Sequence, residues 1–406
     1  MRMRPYCPTD RRRLLTGAAA SLALWSLLPR AASAAGTRDP RLLVVILRGG
    51  LDGLAAVAPV GDPAYAQLRG EIALRAIGEG AALPLDPMFA LNAAMPGLHA
   101  LYRKSQALIV HATHTPYRER SHFDGQDVLE SGRETVGRND DGWLNRALQG
   151  LPTAGRADPK GLAIGPTVPL LMRGAAPALS WIPKVASLPL RESTIQRLTD
   201  LYAATDPILA RAFADGASMA QVADATPTPS GQPRPHREFI EPAQAAARFL
   251  SAADGPRIGV LSYNGWDTHA NEGPANGQLA NRLAALDAAL AALQAGMGTA
   301  WQETAVLVIT EFGRTARVNG TAGTDHGMAT VALLLGGAVK GGRVLADWPG
   351  LGASALYEAR DLKPTTDLRT VLKGVLRDHL GIPDAVLDRS VFPSARPLRP
   401  MQDLFA

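Results

Sequence analysis

Acids, imidazoles and a guanidinium crowd into residues 304–327, TAVLVITEFGRTARVNGTAGTDHG, which offers Glu311, Arg314, Asp325 and His326. Carboxylates and neutral imidazoles are ligands for divalent cations, and a guanidinium can grip a phosphate or sulfate through paired hydrogen bonds. A second group, YNGWDTHANE, holds Asp267 and His269 one residue apart. In extended backbone two such side chains point the same way and can face one ion; the alternative is a turn-stabilising Asp beside a loop histidine. Asp52 sits in a glycine-rich turn, RGGLDG, where it is either a metal ligand or an Asp bonded to its own backbone. The fourth group is His111, His114, Tyr117, Arg118, Arg120, Ser121, His122 and Asp124. Ser121 followed by Asp124 has the spacing of a helix N-cap, a position that suits either capping or a nucleophile facing an anionic ester. His122 beside it is a ligand, an acid/base group or a loop histidine bonded to backbone. His99, His236 and His379 read as structural.

Each chemical group is delivered by an apolar run. Residues 41–47, 107–112, 257–263, 305–309 and 328–335 have the composition of strands buried on both faces. Between the third and fourth of these, 278–297 carries Leu279, Leu283, Leu286, Leu290, Leu293 and Met297 at alternating steps of four and three, the stripe of a helix packed on a sheet. Strand, helix and strand make a βαβ unit whose two strands are parallel. Asp267 and His269 therefore leave the sheet at the same edge as Glu311 and Arg314, and the carboxyl ends of parallel strands are where α/β proteins bind ligands. Helices are also expected at 91–104, from 142, at 193–217, 241–250 and 368–380, and a peripheral strand within 161–173. The prolines of 225–237, ATPTPSGQPRPHR, mark a surface excursion within one α/β domain spanning 35–406.

Residues 1–34 read as an export signal: Arg11, Arg12 and Arg13 precede Leu14 and Leu15, an apolar stretch follows, and Ala32, Ser33 and Ala34 offer a cleavage site. The consecutive arginines point to the twin-arginine translocase; an ordinary secretory signal or an uncleaved anchor is the alternative, and the apolar run is short for a span. Of 42 basic and 37 acidic residues, six arginines and Asp10 lie in this segment, so the remainder balances to zero net charge. The basicity belongs to the signal, and no nucleic-acid partner is implied. Cys7, the only cysteine, lies there too, so stability after export must come from burial in a core. The mature protein is expected to be periplasmic or secreted, without a stable membrane anchor.

The combination of RGGLDGL, SHFDGQDVLESG, YNGWDTHANE and TEFGRT followed by GTDHG resembles the bacterial twin-arginine-exported family known as domain of unknown function 1501. That family is grouped with the alkaline phosphatase and sulfatase superfamily. The resemblance implies a three-layer α/β sandwich, a mostly parallel sheet between helices, with a metal site at the strand ends serving phosphate or sulfate ester hydrolysis. It implies metal-ligand roles for Asp52, Asp267, His269, Glu311 and His326, with Asp325 a ligand or directly behind one. Glu311 stands where that superfamily often carries an AspHis doublet, with Phe312 in place of the histidine. Mixed imidazole and carboxylate ligation suits zinc or manganese; without the histidines, calcium or magnesium fits better. Ser121 is the candidate nucleophile, Arg314 the substrate clamp, and Arg118 and Arg120 further holders of the anion. The expected function is hydrolysis of an anionic ester; the alternative is a non-catalytic periplasmic protein that keeps the site for an ion or ligand and assists cell-surface assembly.

Overall fold

The computed structural model describes residues 38–75, 81–137, 139–151, 161–165, 167–182, 198, 201–202, 210 and 236–406. The export signal, the helix expected at 193–217 (beyond a few positions) and 225–235 of the proline-rich stretch lie outside them. The central sheet is built from β1 (Arg41–Arg48), β2 (Ala107–His114), β3 (Gly161–Ile164), β4 (Ala178–Trp181), β5 (Ile258–Asn264), β6 (Thr304–Ile309), β7 (Thr330–Leu335), β8 (Arg343–Leu345) and β9 (Thr366–Asp367). Its order is β8-β2-β7-β6-β1-β5-β3-β4, with β9 also on β2. Strand β7 runs antiparallel to both neighbours, and the other pairings are parallel. The result is a mixed, mostly parallel sheet of nine strands.

Strand β1 shows why the sheet is a middle layer. Leu43, Val45 and Leu47 join one hydrophobic cluster while Leu42, Val44 and Ile46 join another on the opposite face. Both faces are apolar because both are covered, and each such side chain contributes about 1.5–3 kcal/mol by leaving water. On the first face lie α1 (Pro96–Arg103), α4 (Arg237–Ser251) and α5 (Gln278–Met297); on the second lie α2 (His122–Ser131), α3 (Trp143–Gln149) and α6 (Leu368–Gly374). The α5 stripe is fully buried. By length and composition Gln278–Glu303 is apolar enough to cross a membrane, yet its leucines pack against α4 and the sheet.

Several expectations shift in detail. The helix of 91–104 begins only at Pro96, because Ala90–Leu91 pairs in a small three-stranded sheet with Val57–Ala58 and Leu83–Pro84. Proline suits the first helical turn, and Asp287 of α5 accepts from Gly97 N and Leu98 N at 2.9 and 2.7 Å, capping α1 from a distant part of the chain. The β5-α5-β6 unit does have parallel strands, but β1 lies between them. His236, the last residue before α4, has φ 61°, and Arg237 already belongs to the helix.

Candidate metal site

Strands β1, β2, β5 and β6 all end at one sheet edge, and antiparallel β7 begins there. Five loops thus meet, carrying Gly49 after β1, His122 after β2, Asp267 and His269 after β5, Glu311 and Arg314 after β6, and Asp325 and His326 before β7. The close approach needs glycine at position 49. Its φ is +121°, and a Cβ there would lie 2.7 Å from Asp267 N, nearer than real side chains allow. Gly49 N donates to a Glu311 oxygen at 2.8 Å. The loop pair 267–272 and 319–325 is zipped by Asn271 N to Thr321 O, Glu272 N to Ala322 O and Thr324 N to Thr268 O. Buried Trp266 anchors it from below, its indole N–H donating to Tyr263 O.

Three imidazoles then converge on one carboxylate. His122 Nδ1 donates to Glu311 Oε1 at 2.9 Å, His326 Nδ1 to the Arg120 carbonyl at 2.8 Å, and His269 Nδ1 to Asp325 Oδ1 at 3.3 Å. Carboxylates and carbonyls only accept, so in each ring Nδ1 carries a proton, and in its neutral form the ring presents a lone pair at Nε2. All three Nε2 atoms face Asp267: His269 at 3.0 Å, His326 at 3.2 Å and His122 at 3.4 Å. The Nε2 atoms of His269 and His326 are 3.0 Å apart, and Nε2 of His122 is buried without a hydrogen-bond partner. Lone pairs pointed at one another and at an ionised oxygen repel unless something positive lies between them.

The surroundings favour that arrangement. Arg314 Nη1 donates to Asp267 Oδ1 at 2.5 Å; although partial burial pushes Asp267 up, this bond and the Arg314 charge hold its carboxyl below the ordinary range. Glu311 is fully buried, which opposes ionisation, but bonds from His122, backbone amides, Gln126 and Thr310 keep its carboxyl below its usual value. The Glu311 bond in turn pushes His122 up, whereas desolvation pushes His326 down. Phe312 stacks on His122, centroids 4.8 Å apart, and walls the inner side. Glu311 and Arg314 side chains are 0 % exposed, but Asp267 and His269 are 39 % and 45 % exposed, so the cluster opens to solvent on their side.

The sequence candidates divide accordingly. Asp267, His269 and His326 meet in the cluster, and His122 joins them; the ligand atoms of His122, Asp267 and His326 lie within 4.8 Å of one another, a group able to hold a metal ion. Glu311 and Asp325 sit behind it as partners of His122 and His269. Asp52 is not at this opening: it caps the short helix Gly53–Ala56 and pairs with buried Arg69. Nor does Arg314 reach out as a clamp, since its Nη2 and Nε bond Thr324 and its Nη1 bonds Asp267. Arg118 donates to the carbonyls of Thr115 and Tyr117 and approaches His114. Arg120 is tied to Asp361 and Glu358. Its contribution to the site is the carbonyl on His326, presented from a left-handed backbone at φ 61°. Ser121 does stand at the N-cap position of α2 but makes no side-chain capping bond; Asp124 instead accepts from the Tyr117 hydroxyl at 3.2 Å.

Residues 103–391, well over half of the chain, match the family described as Protein of unknown function (DUF1501). The chain belongs to that family. Comparison with curated proteins returned no match. Among solved structures, a phosphonate monoester hydrolase of Agrobacterium radiobacter aligns at 13 % identity and TM-score 0.39, over 85 % of this chain and 75 % of that one. A protein in the alkaline phosphatase superfamily from Vibrio parahaemolyticus aligns at 13 % identity and TM-score 0.35, over 76 % and 62 %. The C-terminal periplasmic domain of EcEptC from Escherichia coli, in complex with Zn, aligns at 11 % identity and TM-score 0.37, over 74 % of each chain. At such scores the strand order of the chain itself is what carries the fold.

Three imidazoles and a carboxylate are a donor set that a transition metal or zinc accepts readily. Each imidazole also has the acceptor at its far nitrogen that metal-bound histidines usually show. The residues therefore fit one ion. Sequence reading passed over the supports Gln126, Thr324, Arg69 and Asn319, whose Nδ2 bonds both His269 O and Asp325 Oδ1. Only Asn319, within a Gly/Asn/Thr loop, left a signal, because that composition marks a turn built by side-chain to backbone bonds.

Proposed function

We propose that this chain is an exported metal-dependent hydrolase of a phosphoric or sulfuric ester, holding one divalent ion, zinc or manganese, at Asp267, His122, His269 and His326. The observation that carries the proposal is the orientation of three Nε2 lone pairs toward a single ionised carboxylate. The bound ion would supply Lewis acidity to an anionic ester oxygen. The chain's own residues fix the ligands: Glu311, Asp325 and the Arg120 carbonyl hold the Nδ1 protons, and Arg314 holds Asp267. Phe312 closes the inner wall, and the exposed side of Asp267 and His269 admits substrate. Ser121, which precedes His122 and makes no capping bond, would supply the attacking hydroxyl. Export through the twin-arginine translocase is supported by Arg11 to Arg13 followed by two leucines.

One observation favours the second reading, an ion-binding protein without turnover: the donors of Arg118, Arg120 and Arg314 that face the protein are engaged by carbonyls and carboxylates of the chain. The test is a screen of the metal-reconstituted protein against aryl phosphates, phosphodiesters and aryl sulfates. The hydrolase proposal expects turnover that disappears on chelation and in Asp267→Asn, while Ser121→Ala separates attack by that hydroxyl from attack by water. Bound ion with no turnover on any of these esters overturns the hydrolase and leaves the ion-binding protein.

A further inference from the structure

A second acidic cluster lies under the same sheet edge, and it is closed. Asp52, Arg69 and Glu272 are 1 %, 0 % and 0 % exposed. Oδ1 of Asp52 accepts from Leu54 N at 3.0 Å and Ala55 N at 3.2 Å, and Oδ2 accepts from Arg69 Nη2. That same Nη2 lies 3.8 Å from Glu272 Oε1, and Arg69 Nη1 donates to the Thr315 carbonyl at 3.2 Å. Glu272 Oε2 accepts from the Thr324 hydroxyl at 2.9 Å. Burial and the Asp52 charge push the Glu272 carboxyl well up, and Glu272 Oε1 and Arg69 Nε have no hydrogen-bond partner.

A buried carboxylate needs a positive partner, whether a protein cation or a metal. At Asp267 the chain supplies open imidazole nitrogens as well as an arginine; at Asp52 it supplies an arginine and two amides, and both oxygens are occupied. We infer that Arg69 is a built-in cation serving Asp52 and Glu272, so the chain binds a single divalent ion and Asp52 is not one of its ligands. The inference rests on the ion site proposed above and excludes a second ion beneath it. It also turns Asp52 from a ligand, as the family resemblance implied, into the anion that anchors Arg69.

The test is ion counting by native mass spectrometry, with affinity by calorimetry, on the purified full-length protein loaded with zinc or manganese. The wild-type chain is expected to hold one ion, Asp267→Asn none, and Asp52→Asn one. Glu272 lies 3.8 Å from Arg69 and Thr315 O accepts from its Nη1, so Asp52→Asn is not left with a lone buried guanidinium. Two ions in the wild-type chain, or an affinity loss of about tenfold or more in Asp52→Asn, which is what a ligand or a ligand-orienting residue would give, overturns the inference. No ion in the wild-type chain overturns the metal site itself and this inference with it, a result distinguishable from the other two by its count. Thermal melting of Asp52→Asn in parallel shows whether the sample counted is folded.

Discussion

Two clusters of acids lie one beneath the other at the carboxyl edge of the sheet, and they met different fates. Around Asp52 the carboxylate, the guanidinium of Arg69 and the carboxyl of Glu272 are sealed from water, and Arg69 pairs directly with Asp52, although Arg69 Nε and Glu272 Oε1 are left without a hydrogen-bond partner. Around Asp267 the carboxylate also has an arginine, Arg314, but three imidazole nitrogens are added with their lone pairs turned inward and one side open to solvent. The residue types overlap, so type alone does not make an ion site. What separates the two is how the central carboxylate is served: both oxygens of Asp52 are occupied by an arginine and two amides, whereas Asp267 faces imidazole nitrogens as well as an arginine. The clusters are joined through Thr324, whose hydroxyl donates to Glu272 Oε2 and accepts from Arg314 Nε.

The strongest way to break this contrast is to remove the built-in cation. Arg69→Met strands a buried carboxylate and should cost about 3–5 kcal/mol of stability, read as a lowered midpoint in denaturant; a change under about 1 kcal/mol would show that the lower cluster is not closed by charge. Next comes the upper cluster: Asp267→Ala should weaken zinc binding by more than about 100-fold, beyond the effect of losing a ligand's outer partner, while leaving thermal stability of the metal-free protein little changed, because Asp267 is partly exposed.

A satisfied histidine sharpens the comparison. His111 is fully buried, its Nε2 donating to Val57 O at 3.0 Å and its Nδ1 accepting from Ala112 N at 2.8 Å. Both nitrogens are used, and burial pushes its pKa down to about 4. The folded value lies below the unfolded one, so this contribution is intact above about pH 6.5 and is lost as pH falls towards 4. Roughly 2 kcal/mol should disappear between pH 6.5 and about 4.5, and His111→Gln should flatten that part of the acid limb. Zinc addition should broaden or shift the ring resonances of His122, His269 and His326 and leave those of His111 in place. The smallest effect expected is at the link: Thr324→Val should lower zinc affinity about tenfold, as loss of an outer-shell hydrogen bond does, and an unchanged affinity in calorimetry would mean that Arg314 holds Asp267 without help from below.

Much of the site was legible because its residues follow strands. The apolar runs that precede Asp267, Glu311 and Asp52 and the run that follows His326 are strands in the structure; parallel geometry brings the ends of the first three to one edge, and the antiparallel strand after His326 begins there. The pair Asp267 and His269 could be read as co-facing from spacing alone, and their side chains do meet at 3.0 Å. The roles of Asp52, Arg314 and Arg120 could not be read, because each depends on a partner far away in the chain: Arg69 for Asp52, Thr324 and Asp267 for Arg314, Asp361 for Arg120. The missing capping bond at Ser121 has a local counterpart instead, since the Tyr117 hydroxyl donates to Asp124 seven residues on.

By itself, then, the order of amino acids determined the layered α/β architecture and the edge at which chemistry would gather, since hydrophobic period and strand direction are local properties with global consequences. Tertiary structure alone decided which acids were neutralised inside the protein and which were left facing imidazole lone pairs. Electrostatic satisfaction depends on distances of about 3 Å between polar groups, 262 residues apart in the case of Gly49 N and Glu311, and no spacing along a chain encodes those.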